Sequence, residues 1–178
     1  YWQRKLVDEE IPQQQYNPAV IKSKQARRYF TSISETIVDS VKALSHSLQV
    51  TNFVVLLAAL KLALAVWSGQ REVWIVTTIG NRTVPETEQM LGCFINDVVL
   101  RSQFPLEQTA ATFIKQLQAN VNEAIAHKEV PLEWVLAQTK RSRAVNLSAS
   151  ITIAASNAGV ERIPHWELVQ VHTKAQQW

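Results

Sequence analysis

Two pairs of residues carry side chains of the kinds that catalyse reactions. Glu86 and Glu88 could act as paired carboxylates, but residues two apart share a face only in an extended backbone, and Pro85 beside them favours a turn or a helix start. Cys93 and His127 could serve as a nucleophile and a base. A lone cysteine among apolar neighbours is more often a small buried hydrophobe, which is the role we expect for Cys93. Neither pair predicts catalysis on its own.

The histidines and glycines do not predict a bound metal or nucleotide. The histidines form no pair spaced by three or four residues and no compact cluster: His46, His127, His165 and His172. The glycines do not form a phosphate-binding loop. We therefore expect no metal and no directly bound cofactor.

The composition is that of one soluble globular domain. The chain has 178 residues, of which 47% are hydrophobic and 19% are charged, so it can bury a core, and disordered and fibrous classes are excluded. The single cysteine fits a reducing compartment, and the first residues contain no apolar signal-peptide core. We expect a cytoplasmic protein that is not exported.

Charge and hydropathy do not predict binding to nucleic acid or to a membrane. Basic residues cluster at 22–28 and 140–143 without the aromatic residues of nucleic-acid sites, although they could dock an acidic protein partner. Residues 53–67 are apolar except for Lys61, a stretch too short and too charged for a membrane span. We expect a buried helix there, with Lys61 at the edge of the core and its ammonium reaching solvent or a carboxylate.

The first half of the chain predicts an extended segment, a strand and two helices. Prolines favour an irregular conformation over residues 1–25, and loosely alternating residues predict a strand at 27–33. Helical spacing predicts an amphipathic helix that begins after Ser34 and ends near Gln49. Thr51 is placed to cap the apolar helix that follows.

The second half predicts two strands, two helices and two further strands. They lie at 72–79 and 94–104, at 109–127 and 130–136, and at 147–155 and 166–172. The longer helix places these apolar residues on one face: Phe113, Leu117, Val121 and Ile125. Pro131 suits the first turn of the shorter helix. The order of elements predicts an α/β (α+β) fold, a mixed sheet with helices packed on it.

The segment at residues 80–101 carries a set of glycine, arginine, proline, acidic, aromatic and amide residues at defined spacing: Gly80, Arg82, Pro85, Glu86, Gly92, Phe94 and Asn96. This segment resembles one in the condensation domains of nonribosomal peptide synthetases. His127, Pro131 and Glu133 are similar to a second family motif, H-x-x-(V/L)-P-F-E, with Leu132 in place of the phenylalanine. The two motifs occur in the family's order and at its spacing.

The resemblance extends along the whole chain. Residues similar to the stretch that connects the two lobes of these domains are Tyr1, Trp2 and Leu6. Two further similar stretches are 51–53 and 68–73. Residues 141–148 resemble an R-D-x-S-R-N-P-L motif that is partly altered, since Arg141 and Asn146 are kept but the Asp, the Ser and the Pro-Leu are lost.

The resemblance implies one lobe of the two-lobed chloramphenicol acetyltransferase-like fold. Residues 1–25 would be the linker between lobes, and residues 26–178 the C-terminal lobe, ending before its final strands and helices. The family's catalytic H-H-x-x-x-D-G motif belongs to the N-terminal lobe, and no such motif occurs between Tyr1 and Trp178. We therefore expect no catalytic residue in this chain.

The resemblance also implies a part in amide-bond formation. In the family, an acceptor amine attacks a donor thioester, aided by the second histidine of that motif. Both substrates arrive on phosphopantetheine arms of carrier proteins. The implied partners are carrier proteins, adjacent synthetase domains and the missing N-terminal lobe.

Three residues are expected to support the active site: Arg82, Asn96 and Asn146. Arg82 is implied to pair with the Asp of the H-H-x-x-x-D-G motif, and the alternative is that it ties down its own turn through Glu86 or Glu88. Asn96 could bond a pantetheine or substrate amide, or satisfy a neighbouring backbone group. The other motif residues are expected to be structural: Pro85, Glu86, Gly92, Phe94, His127, Pro131, Glu133 and Arg141.

Two other functions stay open at this point. The lobe could belong to an epimerisation or heterocyclisation domain, which the histidine motif of the missing lobe would distinguish. It could also be a non-catalytic condensation-like domain that recruits carriers or other partners, which the altered residues 141–148 favour.

Overall fold

A computed structural model describes residues 1–6, 33–104, 107–138 and 151–153 of the chain. These residues form α1 (Trp2–Leu6), α2 (Glu35–Leu48), α3 (Asn52–Ser68), β1 (Glu72–Gly80), β2 (Ile95–Gln103), α4 (Ala110–Ala126), α5 (Leu132–Gln138) and β3 (Ile151–Ile153). A short 3-10 turn, Pro85–Thr87, lies between β1 and β2. The predicted helices α2 to α5 and the predicted strands β1 to β3 are confirmed.

β1 is the central strand of the described sheet. It pairs antiparallel with β2, from Glu72 opposite Gln103 to Gly80 opposite Ile95, and parallel with β3, giving the order β2-β1-β3. Residues 73–77 of β1 are buried on both faces of the sheet. That burial is typical of a strand rich in β-branched residues with strands on both sides and helices above it. The predicted mixed sheet is confirmed.

Two backbone hydrogen bonds show which residues of β1 direct their N–H and C=O groups at β2. Phe104 N donates to Arg71 O at 2.8 Å, and Asn81 N donates to Phe94 O at 2.6 Å, one bond at each end of the hairpin. In an antiparallel pair the hydrogen-bonded positions recur at every second residue. Odd-numbered residues of β1 therefore point their backbone groups at β2, and even-numbered residues point theirs away.

The ends of α2 and α3 follow their capping residues. Thr51 Oγ1 accepts a bond from Val54 N at 3.3 Å, which starts α3 as predicted, and α3 ends at Gly69, whose φ of 67° is a conformation that glycine favours. Ser34 precedes α2 without a side-chain cap bond, and Gln49 ends it in the left-handed region.

In the described part, no single helix has the length and hydropathy of a membrane span. The helices α2 and α3 together reach that length and composition, but they bend by 107° between them.

The core lies between the sheet and one face each of α3 and α4. The buried helical residues are Val54, Val55, Leu57, Ala58 and Lys61 on α3, and Ile114, Leu117, Val121 and Ala124 on α4. The predicted burial of the helix at 53–67 holds for one face and fails near its end, since Val66 is 77% and Trp67 is 68% exposed. On α4 the predicted face is slightly misplaced, because residues spaced by four drift about 40° around the helix at each step. Ile125 is therefore 41% exposed.

Two local predictions are wrong. Residues 2–6 form α1 instead of an irregular segment, and Trp2 and Leu6, one turn apart, are both buried in the core. Cys93 is exposed and not a buried hydrophobe. It lies in the loop before β2. Leu91 in that loop and Ile95 at the start of β2 are exposed too, so the apolar neighbours of Cys93 in sequence do not form a core.

Several predictions fall outside the described residues. These are most of the strand at 27–33, the strand at 166–172, the basic clusters at 22–28 and 140–143, and the residues Arg141 and Asn146. The boundary between a linker at 1–25 and a lobe at 26–178 stays a prediction.

Lys61 is fully buried, so its predicted place at the edge of the core is wrong. The residue is 0% exposed, and its ammonium donates to Val73 O at 2.9 Å and to Leu100 O at 2.7 Å. Both carbonyls lie at hydrogen-bonded positions of the hairpin, so each also accepts a bond from the neighbouring strand. The bond from Lys61 uses the second lone pair of each carbonyl oxygen. Burial lowers the pKa of Lys61 to about 7, although the Glu72 carboxylate acts to raise it.

Lys61→Met is expected to stabilise the chain. The pKa of Lys61 is about 7 when folded and 10.5 as an ordinary lysine, so the unfolded state binds the proton first as the pH falls. The free energy of unfolding of the unmodified chain should therefore decrease as the pH falls from about 10.5 to about 7, and it should level off below pH 7. Methionine fills similar space without the charge, and no carbonyl loses its ladder bond. We expect a gain of about 2–5 kcal/mol at neutral pH.

Urea unfolding across this pH window measures the effect. Lys42→Met on the exposed side of α2 is the matched control and should change neither the stability nor the pH profile by much. Loss of stability in Lys61→Met at neutral pH, or an unchanged pH profile, would contradict this expectation.

Candidate functional site

Four stretches of the chain meet at the end of the hairpin where a loop joins β1 to β2. They are residues 1–2, 80–82, 92–96 and 127–130, and we call them the motif junction. The register of β1 and β2 brings the second and third stretches together. The fourth stretch bonds to the third through Asn96, and the first bonds to the fourth through Trp2 and His127. All four stretches carry residues of the predicted motifs.

Arg82 extends from the loop after β1 and is exposed. Its guanidinium carbon lies 4.1 Å from the centre of the Phe94 ring, and its Nη2 donates to Met90 O at 2.9 Å. The cation–π contact and the hydrogen bond together fold the loop back on itself. Within the described residues Arg82 makes no ion pair with Glu86 or Glu88. Arg82 holds its own loop through the Phe94 ring and the Met90 carbonyl. The alternative stated from the sequence is a bond to the carboxylate of Glu86 or Glu88.

Gly92 makes room for the Phe94 ring. A Cβ at this position would lie 3.0 Å from Phe94 Cε2, closer than atoms normally approach without a shift. Pro85 opens the 3-10 turn as predicted, and Glu86 beside it is exposed. Pro85, Gly92 and Phe94 therefore shape the loop that presents Arg82.

Asn96 joins β2 to the turn between α4 and α5. Its Nδ2 donates to Lys128 O at 2.5 Å and to Val130 O at 2.9 Å, and its Oδ1 accepts from Asp97 N at 3.0 Å. Lys128 Nζ in turn donates to Gly80 O at 2.9 Å. Both amide hydrogens of Asn96 are used, so the backbone-satisfying alternative is the one that the structure shows.

His127 ends α4 and receives the first residues of the chain. It is the C-cap residue of α4, its Nδ1 lies 2.9 Å from Glu123 O, and its carbonyl accepts from Trp2 Nε1 at 2.9 Å. The Tyr1 ring stacks on the imidazole, with centroids 4.0 Å apart and planes 9° apart. The predicted position of His127 at a helix end is confirmed, and the residue also anchors α1.

The electrostatics around Tyr1 favour a neutral ring. Burial and the Glu123 carboxylate raise the pKa of Tyr1 to about 12. Glu123 is held by an ion pair with Lys5, whose ammonium lies 3.0 Å away, and this contact lowers the pKa of Glu123. Tyr1 therefore stays protonated at neutral pH and packs as an uncharged ring.

Pro131 and Glu133 start α5 as predicted. The Pro131 carbonyl accepts from Trp134 N at 3.0 Å and from Val135 N at 3.2 Å, which closes the first turn. Glu133 lies in that turn and is exposed, where a carboxylate interacts favourably with the helix dipole.

The motif junction braces a loop and does not assemble a catalytic pair. The described residues contain no group of three His, Cys, Asp or Glu placed to hold a metal. In the same residues Cys93 and His127 make no hydrogen bond with each other, since Cys93 is exposed and the His127 ring stacks on Tyr1. What the junction offers chemically is an exposed guanidinium held in a defined place.

Sequence reasoning missed one residue of the junction, Lys128. It occupies a variable position of the H-x-x-(V/L)-P-F-E motif, so no pattern marks it. Its partner Gly80 lies 48 positions away in the sequence, and only the fold reveals the contact.

Comparison with known proteins shows the family of the chain. A family model described as condensation domain matches residues 1–157. The chain belongs to the condensation-domain family. The predicted resemblance to condensation domains is thereby confirmed.

The chain is similar to condensation-domain segments of large synthetases. It is 32% identical over 139 residues to cyclosporin synthetase simA from Tolypocladium inflatum, a match that covers 76% of this chain and 1% of the synthetase. It is 30% identical over 151 residues to tyrocidine synthase 2 from Brevibacillus parabrevis, which covers 80% of this chain and 4% of that protein. The chain thus spans only a few per cent of the length of these relatives.

Solved structures share the fold. The condensation domain from the Monacolin K polyketide synthase MokA aligns with a TM-score of 0.57 at 22% identity, covering 68% of this chain and 26% of that one. The four-domain nonribosomal peptide synthetase holo-AB3403 aligns with a TM-score of 0.57 at 21% identity, covering 58% of this chain and 8% of that one. At these identities the match shows the fold alone, and it confirms the predicted chloramphenicol acetyltransferase-like class.

Asn96→Asp is expected to destabilise this condensation-domain chain more than Asn96→Ala does. Both variants lose the bonds to the Lys128 and Val130 carbonyls, but the aspartate also sets a negative charge against two carbonyl oxygens. We expect a loss of about 1–2 kcal/mol for alanine and about 2–3 kcal/mol for aspartate.

Urea unfolding at neutral pH measures both losses. Asn122→Asp on α4 is the control, because Asn122 is exposed and, among the described residues, it accepts a bond from Gln118 and donates none, so the change should cost little. If Asn96→Asp is tolerated as well as Asn96→Ala, the amide hydrogens of Asn96 do not hold the turn.

Proposed function

We propose that the chain forms one wall of the cleft of a condensation domain that makes amide bonds between carrier-tethered aminoacyl or peptidyl thioesters. The observation that carries the proposal is the motif junction, where motif residues far apart in sequence meet at one end of the hairpin. The family match and the matched synthetases support it. Because the chain spans little of these relatives, we place the other wall in another part of the protein.

The proposed reaction is attack of the acceptor amine on the carbonyl carbon of the donor thioester. A C–N bond forms, the C–S bond breaks, the phosphopantetheine thiol of the donor carrier leaves, and the amine loses a proton. A base must lie within hydrogen-bond reach of that amine. We assign it to an H-H-x-x-x-D-G motif on the N-terminal lobe, since this sequence contains no such motif. The chain's own residues then orient the reaction and do not react.

We assign Arg82 to the Asp of that motif across the cleft. Among the described contacts its Nη2 is bonded to Met90 O, which leaves further donors for a carboxylate. Stacking on Phe94 restricts the guanidinium, so little further ordering is needed when the carboxylate arrives. A planar guanidinium grips a carboxylate through two parallel hydrogen bonds. Asn96 supports the same wall through the α4–α5 turn, and Asn146 stays a predicted supporting residue.

The proposed partners are carrier proteins with their phosphopantetheine arms, adjacent synthetase domains and the N-terminal lobe, in the cytosol. A structural neighbour that is a four-domain nonribosomal peptide synthetase supports this arrangement. The basic clusters at 22–28 and 140–143 are proposed to steer acidic carriers by long-range attraction.

An assay of amide formation tests the proposal. We expect no product from the chain alone, and product from a two-lobed protein in which the chain is joined to an N-terminal lobe that carries the histidine motif. Both are mixed with carriers loaded with donor and acceptor, and mass spectrometry measures the product. Changing the second histidine of the motif to alanine is the control and should slow the reaction by about 10²–10⁴-fold.

Two outcomes contradict the proposal. One is product from the chain alone above the rate in buffer. The other is a two-lobed protein that folds and binds both carriers but forms no amide.

A further inference from the structure

The turn between α4 and α5 is bonded to the hairpin in both directions. Asn96 on β2 donates to Lys128 O and Val130 O, and Lys128 Nζ reaches back to Gly80 O at the end of β1. The backbone and the side chain of Lys128 are therefore tied to different strands. A movement of the turn relative to the hairpin breaks bonds on both strands at once.

Neither neighbouring strand in the described sheet uses the Gly80 carbonyl. Even-numbered residues of β1 point their backbone groups away from β2, and the described residues of β3 pair with β1 only as far as Thr77. Among the described residues, Lys128 supplies a donor to this carbonyl, at 2.9 Å. The bonded carbonyl lies two residues before Arg82, so the bond fixes the point from which the Arg82 loop departs.

The same turn also holds the first residues of the chain. Trp2 Nε1 donates to His127 O, and the Tyr1 ring stacks on the His127 imidazole. Tyr1 and Trp2 match the stretch that connects the two lobes in this family. The connector and the Arg82 loop are therefore fixed to adjacent residues, His127 and Lys128.

From this juxtaposition we propose that Lys128 is a positioning residue that sets where Arg82 stands relative to the connector. The proposal rests on the proposed function, because it takes Arg82 to act against a partner on the other lobe. Lys128 acts through Gly80 and touches no substrate. A lysine suits this role, since its long stem spans from the turn to β1 and its charged ammonium bonds a carbonyl more strongly than a neutral donor does.

If Lys128 only covered the surface and positioned nothing, its removal would have a different effect. Removing such a residue leaves both the local motion of residues 80–82 and the turnover of the enzyme unchanged. Removing a positioning lysine loosens residues 80–82 while the core, and with it the global unfolding midpoint, stays as it is. Local exchange and turnover therefore separate the two roles.

Hydrogen exchange on the chain tests the structural half of the proposal. The Asn81 amide, bonded to Phe94 O at 2.6 Å, reports on the end of the hairpin. Lys128→Ala is expected to speed its exchange about fivefold, the effect of losing one ordinary hydrogen bond, and Lys128→Arg should keep most of the protection. Lys115→Ala, at an exposed lysine of α4, is the control and should change nothing. Unchanged exchange in Lys128→Ala overturns the proposal.

Turnover of the two-lobed protein tests the functional half. Lys128→Ala is expected to lower kcat about fivefold without changing KM for either carrier-bound substrate, and Lys128→Arg should restore most of kcat. Equal kcat in Lys128→Ala and the unmodified protein overturns the positioning role while the proposed function stands. No product from the unmodified two-lobed protein counts against the proposed function instead, and the exchange of the Asn81 amide then decides whether Lys128 holds residues 80–82.

Discussion

The antiparallel register of β1 and β2 is the constraint on which the rest of the structure depends. Side chains alternate between the faces of a strand, so a shift of one residue would turn Asn96 away from the α4–α5 turn and bring the wrong carbonyls to Lys61. Lys61 reinforces the register, because its ammonium bonds one carbonyl from each strand. Burying this lysine costs stability at neutral pH, but the two bonds fix α3 and both strands to one another.

Features with a strong local signal could be predicted from the sequence, and features set by distant contacts could not. The β-branched run of β1 between two glycines and the apolar spacing of α4 specify those elements locally, and both are confirmed. The burial of Lys61 depends on carbonyls of two strands, and the exposure of Cys93 depends on where a loop lies. Asn96 could be found by its motif, whereas its bond to Lys128 spans 32 positions and has no local pattern.

Stability and positioning come from different parts of this chain. Apolar burial between the sheet, α3 and α4 supplies the main stabilisation. The contacts of the motif junction are mostly exposed or part-buried polar bonds, each worth about 1 kcal/mol, so they add little to folding. They do determine where the loop carrying Arg82 lies, which explains why the motif residues gather at one end of the hairpin. The proposed wall of a cleft needs that kind of placement.

The central claim is that the face presenting Arg82 meets the other lobe. Denaturant unfolding of Arg82→Ala, compared in the chain alone and in the two-lobed protein, tests it most directly. In the chain alone Arg82 is exposed, and we expect the change to alter the free energy of unfolding by within about 0.5 kcal/mol. In the two-lobed protein the same change strands a buried carboxylate and should cost about 3–5 kcal/mol. Equal losses in the two proteins would contradict the account, because Arg82 would then serve only its own lobe.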